Sequence, residues 1–295
     1  MNADRHAPAA TGPPDTTKGG IRHCCGEALL AAIRREGLDS VEWAFSCPVT
    51  EDMTKPHLGH RGRARLHLQS DDGRRHVLFL KRYEREPWSW RLRRWWTYGR
   101  RRSPGGVELD NIVAAKAAGL PTIRQAICGE QFDRWGVRRS YIIMTAVPGE
   151  ALEQCAEGFL AHHGDRPGVV VEFTRRLAQL VRDLHGSGFV HRDLYSSHVF
   201  LADSGEGFEL HLIDLARMFA PRRRKFRWRV KDLAQLRHSM PPQWVEAHWE
   251  AFLREYLGDP GPRRLRRWQR AVECKVAYMR WRLDRKARRK AAGPA

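Results

Sequence analysis

The chain has 295 residues, with 53 Lys+Arg against 34 Asp+Glu and a net charge of +19. That length holds one large domain or two modest lobes, and 42% hydrophobic residues exclude disorder across the whole chain. The charge excess calls for an anionic partner without choosing among nucleic acid, phospholipid and phosphorylated saccharide, and no apolar run reaches the roughly 18 residues of a membrane-crossing helix.

Residues 1–20 are polar and rich in Pro and Gly, so they read as a disordered tail without an apolar signal core. From about Val41 to Tyr83 the pattern is β-rich. Arg63 to Gln69 alternates, Asp71-Asp72-Gly73 makes a hairpin turn, and His76 to Tyr83 is a second strand. Glu84 to Gly106 then breaks all periodicity, with seven arginines (85, 91, 93, 94, 100, 101, 102) and four tryptophans (88, 90, 95, 96), and reads as an insertion. Glu108 to Ala118 is a helix stopped by Gly119 and Pro121, and Ser140 to Thr145 is a buried strand ended by Val147-Pro148-Gly149. Val169 to His185 places Val170, Phe173, Leu177, Leu180 and Leu184 on one helical face. Two strands follow, Val199 to Ala202 and Leu210 to Ile213, joined by a turn over 203–207. The remainder is mostly helical, with a basic helix over Leu265 to Lys290 and a frayed basic tail at 285–295. The expected organisation is an α+β bilobal fold. An antiparallel β-rich N-lobe over 21–146 carries the insertion at about 84–106, a helical C-lobe covers 147–284, and a cleft lies between them.

Six cysteines without paired spacing favour reduced thiols in a cytosol, and fourteen histidines without an HExxH pattern indicate no metal site built only from His and Cys. The chemistry gathers elsewhere. His191-Arg192-Asp193 follows the long amphipathic helix, and Asp214, flanked by Ile213 and Leu215, comes 21 residues later at the end of the hairpin. Helix, HRD loop, hairpin and apolar-flanked Asp together are the phosphotransferase layout, in which one Asp meets the acceptor hydroxyl and a second binds the metal on the ATP phosphates. Lys81 ends a strand, as a lysine reaching the phosphates should, and Glu108 on the next helix is its expected partner, with Asp110 as the competitor. Met144 and Thr145 lead into the inter-lobe hinge that would touch adenine. Gly59 and Gly62 are the available phosphate-loop glycines, although ordinary turn glycines fit the same positions.

The stretch His191-Arg-Asp-Leu-Tyr-Ser-Ser-His198, with Leu212-Ile-Asp214-Leu-Ala-Arg217 and Arg227 through Leu236, resembles the lipopolysaccharide core kinase (Kdo/WaaP) family over roughly residues 55 to 260. These are bacterial sugar kinases with a protein-kinase-like fold. Ordinary protein kinases carry Asn five residues after the catalytic Asp, where this chain, like that family, has His198. The resemblance implies the following roles. Asp193 orients the sugar hydroxyl and accepts its proton, within a catalytic loop that includes His191 and Arg192. Asp214 binds Mg²⁺ on ATP, with His198 in the second metal-side position or hydrogen-bonding the loop. Lys81 contacts the α/β-phosphates, positioned by Glu108, and Asp232 hydrogen-bonds the catalytic-loop backbone. The implied acceptor is an anionic lipopolysaccharide core or lipid-linked saccharide, and the implied location is cytoplasmic, peripheral on the inner face of the inner membrane. The Arg/Trp segment is either a solvated basic loop or a face for anionic lipid, and nucleic acid is the weakest of its readings. A protein kinase, an aminoglycoside-type phosphotransferase and a pseudokinase or nucleic-acid scaffold are the competing functions. Joint retention of Lys81, Asp193 and Asp214 argues against the scaffold.

Overall fold

The computed structural model describes residues 20–47, 51–52, 61–84, 88–89, 92, 95–96, 102–133, 136–205 and 207–291. Gly59 and most of the Arg/Trp segment lie outside the described residues, as do residues 1–19 of the N-terminal stretch.

Strands Ile21–His23 (β1), Glu51–Asp52 (β2), Arg61–Gln69 (β3), Arg75–Glu84 (β4), Ala126–Asp133 (β5) and Gly136–Thr145 (β6) form one antiparallel sheet in the order β1-β5-β6-β4-β3-β2. The period-2 pattern decides what each face carries. Ala64 and Leu66 on β3 pair across to Leu80 and Leu78 on β4, and all four are buried under the helix Glu27–Arg35 (α1). The alternate positions, Lys81 and Tyr83, therefore point to the opposite face, where the helix Pro104–Ala117 (α3) packs. Arg63 sits directly across from Lys81 in the β3–β4 register and shares its face.

Two expectations need correction here. Val41–Ser46 is a short helix (α2) rather than the start of the β-rich region, because the Ser40 hydroxyl caps it by accepting from the Trp43 N–H at 3.2 Å. Helix α3 starts at Pro104, not Glu108. The Ser103 hydroxyl accepts from the Gly106 N–H at 2.8 Å and Pro104 occupies the first turn, so Ser103 to Gly106 belong to the helix entry rather than to the insertion. Gly105 is needed there because a Cβ would lie 2.9 Å from the Tyr141 carbonyl oxygen.

The second half begins with Glu150–Ala151 (β7), Leu152–His162 (α4) and Pro167–Gly186 (α5). Val199–Asp203 (β8) and Phe208–Leu212 (β9) join β7 in a three-stranded sheet, and Lys225–Ser239 (α6), Pro242–Leu257 (α7) and Pro262–Ala291 (α8) complete the described chain. Helix α8 runs through 285–291, in line with the basic helix read over Leu265 to Lys290 and beyond the point where the frayed tail was expected to start, since no Gly or Pro follows Pro262 before Gly293 and Ala, Arg and Lys favour helix. Leu177, Leu180 and Leu184 on α5 meet Phe252 and Leu253 on α7 in a core that continues up to Leu109 and Ile112 of α3.

The two halves are joined by hydrogen bonds as well as by this core. The Asn111 side-chain amide of α3 donates to the carbonyls of Leu215 (2.7 Å) and Met218 (2.9 Å), and the Thr122 hydroxyl donates to the Leu212 carbonyl at 2.6 Å. A helix of the sheet half thereby fixes the backbone just after Asp214.

Candidate active site

Lys81 is the hub on the nucleotide side. Its ammonium donates to Glu108 Oε1 at 2.6 Å and to Asp214 Oδ1 at 3.0 Å. Glu108 is fully buried, and its second oxygen accepts from the Tyr83 hydroxyl at 3.1 Å. Asp110, the competitor, faces away and pairs with Arg22 and Arg102. Burial works against the Lys81 charge, but the Glu108 and Asp214 carboxylates outweigh it and hold the ammonium above the ordinary lysine value. Burial would likewise raise the Asp214 carboxyl. Lys81, His198 and Arg63 reverse that and hold it well below the usual carboxylate range, so it is ionised at neutral pH.

Asp214 occupies the left-handed region at φ 56°, uncommon for a residue with a side chain, and opens the 3₁₀ turn Leu215–Arg217. Its carboxylate stays 25% exposed and has Arg63 at 3.8 Å and the His198 Nε2 at 3.6 Å. Magnesium on a nucleotide typically takes one or two carboxylates and otherwise phosphate oxygens and water. An ionised, part-exposed Asp214 beside Lys81 suits that donor set. Among the described residues no cluster of three metal-ligating side chains exists, so the phosphates would have to supply the remaining ligands. His198 spends its other ring nitrogen on the loop, its Nδ1–H donating to the Asp193 carbonyl at 2.7 Å, and imidazole is a poor ligand for hard Mg²⁺.

The acceptor side is built by the loop between α5 and β8. Asp232, fully buried on α6, accepts from the backbone N–H of His191 at 2.7 Å and of Arg192 at 2.8 Å. These two bonds fix a loop whose Arg192 has φ 71°. The His191 and Arg192 side chains, grouped above with the catalytic residues, engage neighbouring protein groups. The buried His191 ring donates from Nε2 to the Ile213 carbonyl at 2.9 Å and stacks on His198, and burial keeps it neutral by lowering its pKa. The Arg192 guanidinium lies over the rings of Phe219 and Trp228. Asp193 alone of the HRD triplet presents its functional group. The Arg217 Nη1 donates to both of its oxygens at 2.8 Å, and the Lys231 ammonium is 4.0 Å away.

The remaining expectations distribute unevenly. Met144 is buried in the shared core and the Thr145 hydroxyl is engaged with Gln125. Gly62 is the second residue of β3, paired with Arg82, and a Cβ there would meet the Arg82 side chain at 3.4 Å. Arg63, Arg217 and Lys231 received no role from the sequence. The available signals were the Arg63–Lys81 alternation and the adjacency of Lys231 to Asp232. A groove of about 640 Å³ lined by Lys116, Thr122, Arg124, Arg176, Glu209 and His211 among others includes none of the candidate site residues.

This arrangement can hold a triphosphate through Lys81 and Asp214 and orient a hydroxyl through Asp193. Comparison with known proteins agrees. Residues 61–256 match the model of the Lipopolysaccharide kinase (Kdo/WaaP) family. The lipopolysaccharide core heptose(I) kinase WaaP of Escherichia coli is 32% identical over 140 residues, 45% of this chain and 51% of that protein. The chain thus matches about half the length of that curated relative. A solved structure of WaaP in complex with acyl carrier protein superposes with a TM-score of 0.59 at 25% identity, covering 90% of this chain and 98% of that one.

Proposed function

This chain belongs to the lipopolysaccharide kinase (Kdo/WaaP) family, and from that premise we propose that it transfers the γ-phosphoryl group of ATP to a sugar hydroxyl, heptose or Kdo, of the lipopolysaccharide inner core. The observation that carries the reading is the Glu108–Lys81–Asp214 chain of hydrogen bonds, at 2.6 and 3.0 Å, set beside a separately anchored Asp193. A purely structural ion-pair network would not require a second, part-exposed carboxylate on an adjoining loop.

On this reading Lys81 grips the α/β-phosphates, Glu108 fixes its position, and Asp214 would hold Mg²⁺, which when bound would neutralise phosphate charge. Asp193 accepts the hydrogen bond of the acceptor hydroxyl and takes its proton as the new P–O bond forms and the bond to ADP breaks. His198 and Asp232 hold the loop that aims Asp193. The transition state is loose, so the protein's contribution is chiefly alignment and charge. The net charge of +19 suits an anionic acceptor in a membrane leaflet, and a peripheral position on the cytoplasmic face of the inner membrane follows from that acceptor. No helix among the described residues is long and apolar enough to cross a membrane.

The test is incubation of the purified chain with Mg²⁺-ATP and a panel of purified core oligosaccharides, read by mass spectrometry. Gain of one phosphoryl group on a core saccharide, lost in Asp193→Asn, is the expected result. Turnover of none of the panel by a folded, nucleotide-binding protein would overturn the assignment.

A further inference from the structure

The phosphoryl-transfer reading leaves one strong contact unused. A single nitrogen of Arg217, Nη1, spans both oxygens of Asp193 at 2.8 Å. The guanidinium is therefore not forked onto the carboxylate. Its other edge, Nε–H with Nη2–H, is a pair of parallel donors matched to a carboxylate or phosphate. Among the described residues nothing accepts from that edge, and the side chain is 53% exposed.

The base of the side chain, by contrast, is fixed. Leu215 and Met218 on either side are fully buried, and Asn111 holds both of their carbonyls. Lys231 adds a second positive charge on the same side, 4.0 Å from Asp193 Oδ1. An anchored arginine thus touches the group that orients the acceptor hydroxyl and still offers an open bidentate edge beside it.

We infer that Arg217 is a specificity-determining residue that reads an anionic group, carboxylate or phosphate, carried by the acceptor close to the hydroxyl to be phosphorylated. The inference rests on the kinase reading above and narrows it. Because one guanidinium meets both Asp193 and the anion, the anion and the hydroxyl lie on the same sugar or across one glycosidic linkage. A neutral sugar would leave the open edge to water. An acceptor with the anion elsewhere could not engage Arg217 and Asp193 together.

The test separates the two claims. Binding of a purified inner-core oligosaccharide to the full chain is measured by calorimetry without nucleotide, for the native saccharide, its carboxyl-reduced form, its phosphatase-treated form and the doubly treated form. A bidentate charge-assisted pair predicts that wild type binds the native form about tenfold to hundredfold more tightly than the form lacking the recognised anion. The single treatment that abolishes this preference identifies carboxylate or phosphate. Arg217→Gln should shrink the preference to within about twofold, while Arg217→Lys, which keeps the charge and loses the fork, should retain part of it. Equal affinity of wild type for all four forms, or an Arg217→Gln variant that weakens all four by the same factor, would overturn the inference and leave Arg217 as a support for Asp193. Phosphorylation of the same saccharides is scored separately. Transfer without discrimination refutes the Arg217 role alone, whereas discrimination without transfer refutes the kinase reading alone.

Discussion

Lys81 and Glu108 offer the sharpest separation of stability from activity. Lys81→Met keeps most of the stem and removes the charge, leaving Glu108 fully buried with only the Tyr83 hydroxyl as partner. Breaking a buried pair in this way costs about 3–5 kcal/mol, a large share of the roughly 5–15 kcal/mol that stabilises a folded domain. At about 2–4 °C per kcal/mol for a domain of this size class, the midpoint of thermal unfolding should fall by about 6–20 °C. The loss has a ceiling, because the variant can protonate Glu108, whose carboxyl burial already pushes upward even with Lys81 opposing it. A carboxyl with a raised folded pKa is least costly at low pH and destabilises as pH rises through that value. The gap between wild type and variant should therefore widen as pH rises above the ordinary carboxylate range. Adding Glu108→Leu removes the orphaned carboxylate, and replacing both partners by apolar groups is often nearly neutral, so the double variant should regain most of the lost midpoint. It should not regain phosphoryl transfer, since the phosphates would still lack their cation. Calorimetric melting across pH, paired with ATP turnover, reads both quantities. A Lys81→Met midpoint within about 1 °C of wild type, or a double variant less stable than the single one, would refute the buried-pair reasoning.

Three further outcomes follow from the site. Burial, together with Arg217 and Arg192, pushes the Lys231 ammonium down to about 8 against the pull of Asp193 and Asp232, so kcat should fall as pH rises through about 8 and Lys231→Arg should move that limb to higher pH. A pH profile that stays flat to about pH 10 would show that the charge is not needed. Asp214→Asn should weaken Mg²⁺-ATP binding far more than Mg²⁺-free ATP binding in calorimetric titrations, because a hard oxygen ligand is lost, and equal losses would make Asp214 a structural residue. His198→Asn should retain more turnover than His198→Ala, since an amide can still donate to the Asp193 carbonyl now held at 2.7 Å, and equally inactive variants would assign His198 a role other than holding the loop.

What the sequence showed plainly were features set by short, fixed offsets. The β3–β4 hairpin was legible from alternation around Asp71-Asp72-Gly73, and helix α5 from apolar spacing, ending within two residues of the expected limits at both ends. Helix α2 was not legible. Its six residues, Val41 to Ser46, are mostly β-branched, aromatic or small, and only the Ser40 cap and the packing against β4, β5 and β6 make them helical. The start of α3 was obscured because Gly105 and Gly106 are poor helix formers, Gly105 lying too close to the Tyr141 backbone for a side chain and Gly106 against the Glu130 and Arg22 side chains.

The site divides along the same line, and the division has a physical cause. Asp193 and Asp214 stood out because each sits at a characteristic distance from a helix or strand end, Asp232 only through the family resemblance, and the choice of Glu108 over Asp110 was settled by the helix turn that faces β4. Arg63 and Lys231 become neighbours of the site only through tertiary placement. One arrives through the β3–β4 register and the other through the packing of α6 under the loop. Arg217 is the intermediate case, since its position three residues after Asp214 is visible in the chain but the turn that swings it back onto Asp193 is not. That turn depends on Asp214 at φ 56° and on Asn111 reaching across from α3. Movement of α3 would therefore shift the Glu108 that holds Lys81 and the backbone that carries Arg217 together. On the proposed roles of these residues one helix couples nucleotide grip to acceptor recognition, and a substitution on its buried face, such as Ile112→Ala, should disturb both at once.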